Sequence, residues 1–243
     1  MARKNIYDPK DKEPFKLSRT KVDLFVNCPR CFYLDRRLGV SRPPMFPYSL
    51  NQAVDTLLKK EFDILRKKGE AHSLMKNYKI DAVPYQHENI DDWRNNWKGI
   101  QYLDKSTNFI IFGAIDDIWI NSHNELHIVD YKSTSTTQEI SMDSEYRQGY
   151  KRQAEIYQWI FRKNNFKISD IAYFVYCNGK TGEDKFDGIL EFDIQILDYK
   201  GNDSWVEATI KEAKKCLNSD KAPQASPGCI YCQYRAADKK LEK

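Results

Sequence analysis

The sequence predicts an α/β protein with one central mixed sheet flanked by helices. Segments with helical periodicity alternate with short β-branched and aromatic runs, in the order α, α, β, β, α, β, β, α. The 243 residues suffice to bury a substantial core. Hydrophobic residues make up 41% and charged residues 30%, a soluble globular mixture.

The polar stretch 1–17 reads as a flexible leader, and 18–243 as a single domain. A first helix starts at the Ser18 cap, turns apolar at Val22, Leu24, Phe25 and Val26, and runs into Cys28-Pro29-Arg30-Cys31. Ser41 to Ser49 is a proline-rich linker. Val54, Leu57, Leu58, Glu61, Phe62 and Leu65 set the period of a second helix that stops at Gly69. Trp93 and Trp97, four apart, suit a short helix. "FIIFGAIDDIWI" and "ELHIVDYK" read as two strands joined by a turn at Ser122–Asn124. An amphipathic helix follows from Tyr146, then two strands, "ISDIAYFVYCNG" and "GILEFDIQI", a last helix, and a tail carrying "PGCIYCQYR".

A net charge of +4 is too small to imply a polyanionic partner by itself. No run approaches the ~18 apolar residues of a membrane span, and the N-terminus lacks the apolar stretch of a signal peptide. The expected location is the cytoplasm, with no membrane partner.

Asp130 and Lys132 share one strand face while Tyr131 points away. If the hairpin closes at Ser122–Asn124, Asp116 lies near Asp130. Two juxtaposed carboxylates repel unless a cation sits between them, and a hard divalent ion such as Mg²⁺ or Mn²⁺ suits them. Lys132 would then orient a water or neutralise charge building on a phosphate. Those parts suit metal-assisted hydrolysis of a phosphodiester, although the spacing also fits a surface hairpin with solvated charges. Asp117 alternates to the opposite side. His72, His87, His123 and His127 lack ligand spacing and read as surface or turn residues.

"GAID" followed by "VDYK" resembles the G-x-x-D and (D/E)-x-K motifs of the PD-(D/E)XK nuclease superfamily, specifically its RecB-like and Cas4-like branch. Gln153 and Tyr157 resemble that branch's Q-x-x-x-Y, and residues four apart share a helical face. The resemblance covers residues 18–235 and implies a restriction-endonuclease-like core, with Asp116, Asp130, Lys132, Gln153 and Tyr157 catalytic. It also implies a helix ligand in a G-x-x-x-H pattern. Asn51 and Asp55 stand there instead, so Asp55 is the choice and Glu61 the runner-up. The metal set is therefore Asp55, Asp116, Asp130 and Tyr131.

Two C-x-x-C pairs, Cys28/Cys31 and Cys229/Cys232, can each turn two thiolates toward one ion, zinc or an iron–sulfur cluster. Cas4-like proteins hold a [4Fe-4S] cluster through one N-terminal cysteine, often in a C-P-R context, and three near the C-terminus. The last of those is missing here and Cys31 replaces it. The resemblance makes the cluster the expectation and zinc the alternative, in a lobe built from about 18–48 and 216–235. Cys216 is a spare ligand and Cys177 a core residue.

Arg30, Arg36, Arg37 and Arg42, with Lys151 and Arg152 beside Gln153, are candidates for sequence-independent phosphate contacts. Phe32, Tyr33 and Tyr48 are candidates for stacking on unpaired bases. The implied function is a Mg²⁺- or Mn²⁺-dependent deoxyribonuclease, an exonuclease on ends or single strands, with repair or CRISPR-adaptation proteins as partners. The rival is a catalytically silent nucleic-acid-binding protein or assembly subunit.

Overall fold

The computed structural model describes residues 5–44, 48–144 and 147–241. Parts of the predicted leader and proline-rich linker, and Tyr146 at the start of the amphipathic helix, lie outside them. The chain divides into two compact units, Met1–Phe46 with Gln101–Phe112 and Ser204–Lys243, and Pro47–Ile100 with Gly113–Asp203.

The second unit carries the central mixed sheet. Among the described residues its strands are β2 (Val83–Pro84), β5 (Asp117–Ile120), β6 (Leu126–Thr134), β7 (Ile171–Gly179) and β8 (Phe192–Lys200), in the order β2-β5-β6-β7-β8. Only the β6–β7 pair is parallel. It needs a crossover, which α6 (Gln148–Lys163) supplies. On one face, α3 (Ser49–Lys68) packs Leu58 and Phe62 against Trp119, Val129, Tyr131, Val175 and Cys177. Leu58 and Phe62 fall four apart on a helix that ends at Gly69 in the left-handed conformation. Leu57 and Glu61, included in the predicted periodic face, are exposed. The other face of the sheet receives α6, whose residues Gln153–Phe161 are all buried. Cys177 is core, as expected.

The first unit contains a three-stranded sheet among the described residues, in the order β1-β4-β3, built from β1 (Phe15–Ser18), β3 (Ile100–Asp104) and β4 (Phe109–Gly113). Around it are α1 (Arg19–Asn27), α2 (Pro29–Arg36), α7 (Val206–Asn218) and α8 (Ile230–Leu241). The expected leader is structured from Asn5 onward. Tyr7 is buried edge-on to Phe15 and Phe109 and donates to Asn218, and β1 pairs in parallel with β4. Its aromatic residues supply burial that a polar average conceals.

The segment expected as one long strand, residues 109–120, is two. It breaks between Gly113 and Asp117, and its halves join different sheets. The short helix α5 (Ile90–Arg94) stops before Trp97, which is 87% exposed, while Trp93 is buried. Two histidines read as superficial are buried. His72 stacks on Phe62 and caps α4 (Ser73–Asn77), and His127 bonds the Ile171 carbonyl. His123 is an exposed turn residue, and His87 stacks on Trp93.

Gly99 has φ +60°, and a Cβ there would lie 2.4 Å from the Gly113 carbonyl oxygen. Gly99→Ala should therefore lower stability by about 2 kcal/mol or more, read as an earlier urea midpoint, and Gly69→Ala should cost less because its Cβ meets nothing.

Candidate active site

Register places Asp117 opposite Val129 and Asp130 opposite Phe174. Alternation then turns Asp117 toward the α3 face and Asp130 toward the α6 face. Asp117 is fully buried. It accepts from the Arg66 and Arg94 guanidiniums, from the Tyr131 hydroxyl at 2.7 Å and from the Ile118 N–H at 2.8 Å. Arg94 also donates to the Asp116 carbonyl at 2.9 Å and to both oxygens of Asp63. This network fixes the backbone from which Asp116 projects.

Asp116 sits immediately before β5, its side chain 23% exposed. One of its oxygens accepts the Tyr131 N–H at 3.0 Å and the other the Lys59 ammonium at 3.2 Å. It lies close enough to Asp130, which is almost fully buried, for the charge of Asp116 to act on that carboxyl. Lys132 ion-pairs with Asp130, and Gln153 donates to Asp130 at 2.6 Å.

The electrostatics follow from this crowding. Burial raises the Asp130 pKa, the Lys132 ammonium opposes it, and the Asp116 charge raises it further, to about 7. For Asp116 burial acts upward, but Lys59, Lys132 and the Tyr131 N–H outweigh it and hold the carboxyl below its ordinary value. Burial works against the Lys132 ammonium, yet Asp130 and Asp116 push its pKa up. The two carboxyls therefore titrate as an interacting pair, Asp130 pushed up and Asp116 held down.

Of the residues expected here, Asp116, Asp130, Lys132 and Gln153 come together. Tyr157 instead donates to the Ala114 carbonyl, bracing the chain that leads into Asp116. The Tyr131 side chain lies on the other face with Asp117, so its contribution to this cluster is its N–H. Asp55 lies near enough for the Asp116 charge to raise its pKa, after burial. However, Lys59 bridges the two, 2.8 Å from Asp55. Glu61 is engaged by His72 at 2.8 Å. Sequence reasoning missed Lys59, although its position four residues after Asp55 puts both on one helical face. Asn51 ties α3 to β6 through the Ser133 carbonyl.

These oxygens fit a hard divalent cation. A cation between two crowded carboxylates relieves their repulsion, and among the described residues the buried Oδ1 of Asp55 has no hydrogen-bond partner. Asp116 and Asp130 would hold such an ion, with Asp55 joining if Lys59 moves aside.

The four cysteines meet in the first unit. Cys28 is extended, and Pro29 opens α2 directly after it, so Cys31 sits in the helix's first turn. Cys229 precedes α8, and Cys232 lies in that helix's first turn. Their sulfurs lie 3.5 Å (Cys31–Cys229), 3.6 Å (Cys31–Cys232) and 3.9 Å (Cys28–Cys232) apart, and all four lie within 4.8 Å of one another. Burial opposes the Cys28 thiolate, but the Ser226 and Cys31 N–H groups outweigh it and bring its pKa to about 6. Burial pushes the Cys31 and Cys232 thiols up. A compact set of four sulfurs fits a structural metal centre. Cys216 is outside it, near the Pro29 carbonyl.

The arginines expected on phosphate are held within the first unit. Arg36 pairs with Asp35, Arg37 donates to the Tyr7 carbonyl, and Arg30 to the Pro223 carbonyl. Arg42 donates to the Cys229 sulfur at 3.5 Å and stacks over Tyr231. Phe32 and Tyr33 are buried and offer no stacking surface, whereas Tyr48 is exposed. Lys151 and Arg152 are half-buried on α6, Lys151 over the Tyr199 ring.

Residues 53–237, about three quarters of the chain, match the family model of the PD-(D/E)XK nuclease superfamily. The chain belongs to that superfamily, whose members are nucleases that use divalent metal ions and bind nucleic acid. No curated protein matches it. Among the described residues, no helix is long and apolar enough to cross a membrane.

A carboxyl with a folded pKa of about 7 against an ordinary 3.8 carries a proton that the unfolded chain lacks. The metal-free protein should thus lose stability as pH climbs from about 4 through about 7, and Mn²⁺ should bind more tightly over the same rise. Calorimetry at pH 6 in buffers of different ionisation heat should show close to one proton released per ion. No release in any buffer would contradict the raised pKa of Asp130. At the second site, stoichiometric zinc or iron should accompany the purified protein and be lost from Cys31→Ser, with an earlier thermal transition, as metal analysis and calorimetry would read.

Proposed function

We propose that this chain is a divalent-metal-dependent deoxyribonuclease of the RecB-like/Cas4-like branch. In this reading it cuts ends or single strands exonucleolytically and without sequence preference, in the cytoplasm, in DNA repair, recombination or CRISPR adaptation. The observation that carries the nuclease reading is the pairing of half-buried Asp116 with buried Asp130, with Lys132 and Gln153 on Asp130. The C-P-R sequence and four-sulfur cluster support the branch and a [4Fe-4S] centre, with zinc as the alternative. Residues 18–48 and 216–235 would form that lobe.

A bound Mg²⁺ or Mn²⁺ supplies Lewis acidity and a water of lowered pKa. Asp116 and Asp130 would hold the ion, and Gln153 fixes the Asp130 carboxylate through its amide. Lys132 donates to the oxygen on which charge builds in the transition state. Lys151 and Arg152, at the same end of α6, suit backbone phosphates.

One observation favours the silent-binder reading. Lys59 lies on Asp116 and Asp55, where an ammonium substitutes for part of the cation's charge. Cleavage decides between the two. End-labelled single strands and duplexes, with Mn²⁺, Mg²⁺ or chelator, should be cut by the wild type and at least about 100-fold more slowly by Asp130→Asn and Lys132→Ala, with strand binding retained. Equal rates for both variants would show that this cluster does not cut.

A further inference from the structure

Tyr176 stands on β7 directly opposite Lys132 on β6. Alternation puts it on the sheet face that carries Asp130 and Lys132. It is 2% exposed, and its hydroxyl has no hydrogen-bond partner among the described residues. A buried hydroxyl without a partner costs stability, so its persistence at this place calls for an account. Cationic groups stand nearby, together with the Asp130 carboxylate. The Arg147 guanidinium lies 5.2 Å from the Tyr176 ring centre, and the Lys132 ammonium 4.5 Å from that of Tyr150, which is 37% exposed. Burial pushes the Tyr176 pKa up, so the hydroxyl keeps its hydrogen and remains a donor.

We propose that Tyr176 is a positioning residue for the scissile phosphate. Its hydroxyl donates to a non-bridging oxygen, beside the one that Lys132 faces, once Tyr150 turns aside to admit the strand. This inference rests on the reading of Asp116, Asp130 and Lys132 as the cutting site. Of the two non-bridging oxygens of a phosphodiester, the one facing Tyr176 would be a specific diastereotopic atom, which makes the proposal stereochemically testable.

Tyr176→Phe removes the hydroxyl and keeps the ring. The variant should melt at the same temperature or higher, because an unpartnered buried group is gone. At saturating single-stranded substrate in Mn²⁺ it should cut about ten-fold more slowly, the scale of one hydrogen bond to a charged oxygen. Single strands carrying an Rp or Sp phosphorothioate at the cleaved linkage give the second readout. Wild type should discriminate against one diastereomer through this contact, and Tyr176→Phe should lose part of that discrimination. A variant that cuts at the wild-type rate, or that slows on phosphate and both phosphorothioates alike, overturns the proposal while Asp130→Asn, run in parallel, still reports on the site. Asp130→Asn cutting normally, or wild type cutting nothing, brings down the site reading and this inference together.

Discussion

The carboxylate of Asp117 is the anchor on which the second unit's chemistry depends. A buried charge is tolerated only when it is fully paired. Asp117 meets that condition with two guanidiniums, a phenol and a main-chain N–H. Each donor comes from a different part of the unit. Arg66 comes from α3, Arg94 from α5, Tyr131 from β6 and the N–H from β5 itself. The same Arg94 holds the carbonyl of Asp116. The residue that carries no proposed chemistry therefore fixes the one beside it that does, and alternation sends their side chains to opposite faces.

The two faces of the central sheet differ accordingly. On the α3 side, aromatic and aliphatic groups close on one another, with Phe62 stacked on Trp119 and tilted against Tyr131. The α6 side holds like charges together: the Asp116 charge raises the Asp130 pKa, and Lys132 ion-pairs with Asp130. Such an arrangement is unfavourable by itself and becomes favourable when a cation and an anionic substrate enter. Binding and folding energies are thus linked through one pair of carboxyls.

Much of this was legible in the sequence because two periodicities carried it. Period two placed Asp130 and Lys132 on one strand face, and the Gly113-to-Lys132 spacing brought Asp116 to them through a hairpin. Period four put Gln153 on the helix above. What escaped were partners set by tertiary packing. Tyr157 shares its helical face with Gln153, yet its longer side chain reaches the Ala114 carbonyl. Lys59 carries no motif and reveals itself only when α3 is laid against Asp116. The arginines after the first helix look free for phosphate in a linear reading, but α2 folds onto the N-terminal segment and engages them. The leader was misjudged for the same reason, since Tyr7 and Phe15 find their apolar partner in Phe109, far along the chain.

The cysteine centre obeys a different logic from the carboxylate site. Its four ligands are local in pairs and distant between pairs, so its geometry depends on two short turns being brought together. Each pair opens a helix, where N–H groups favour a thiolate, and Cys28 is the sulfur that gains most from them. Arg42 adds a fixed positive charge against Cys229 and is held flat by Tyr231. With a metal bound, the charge of the sulfur ligands would be balanced by this arginine as well as by the ion. Arg42, one of the arginines considered for phosphate contacts, lies beside this cluster, on the Cys229 sulfur.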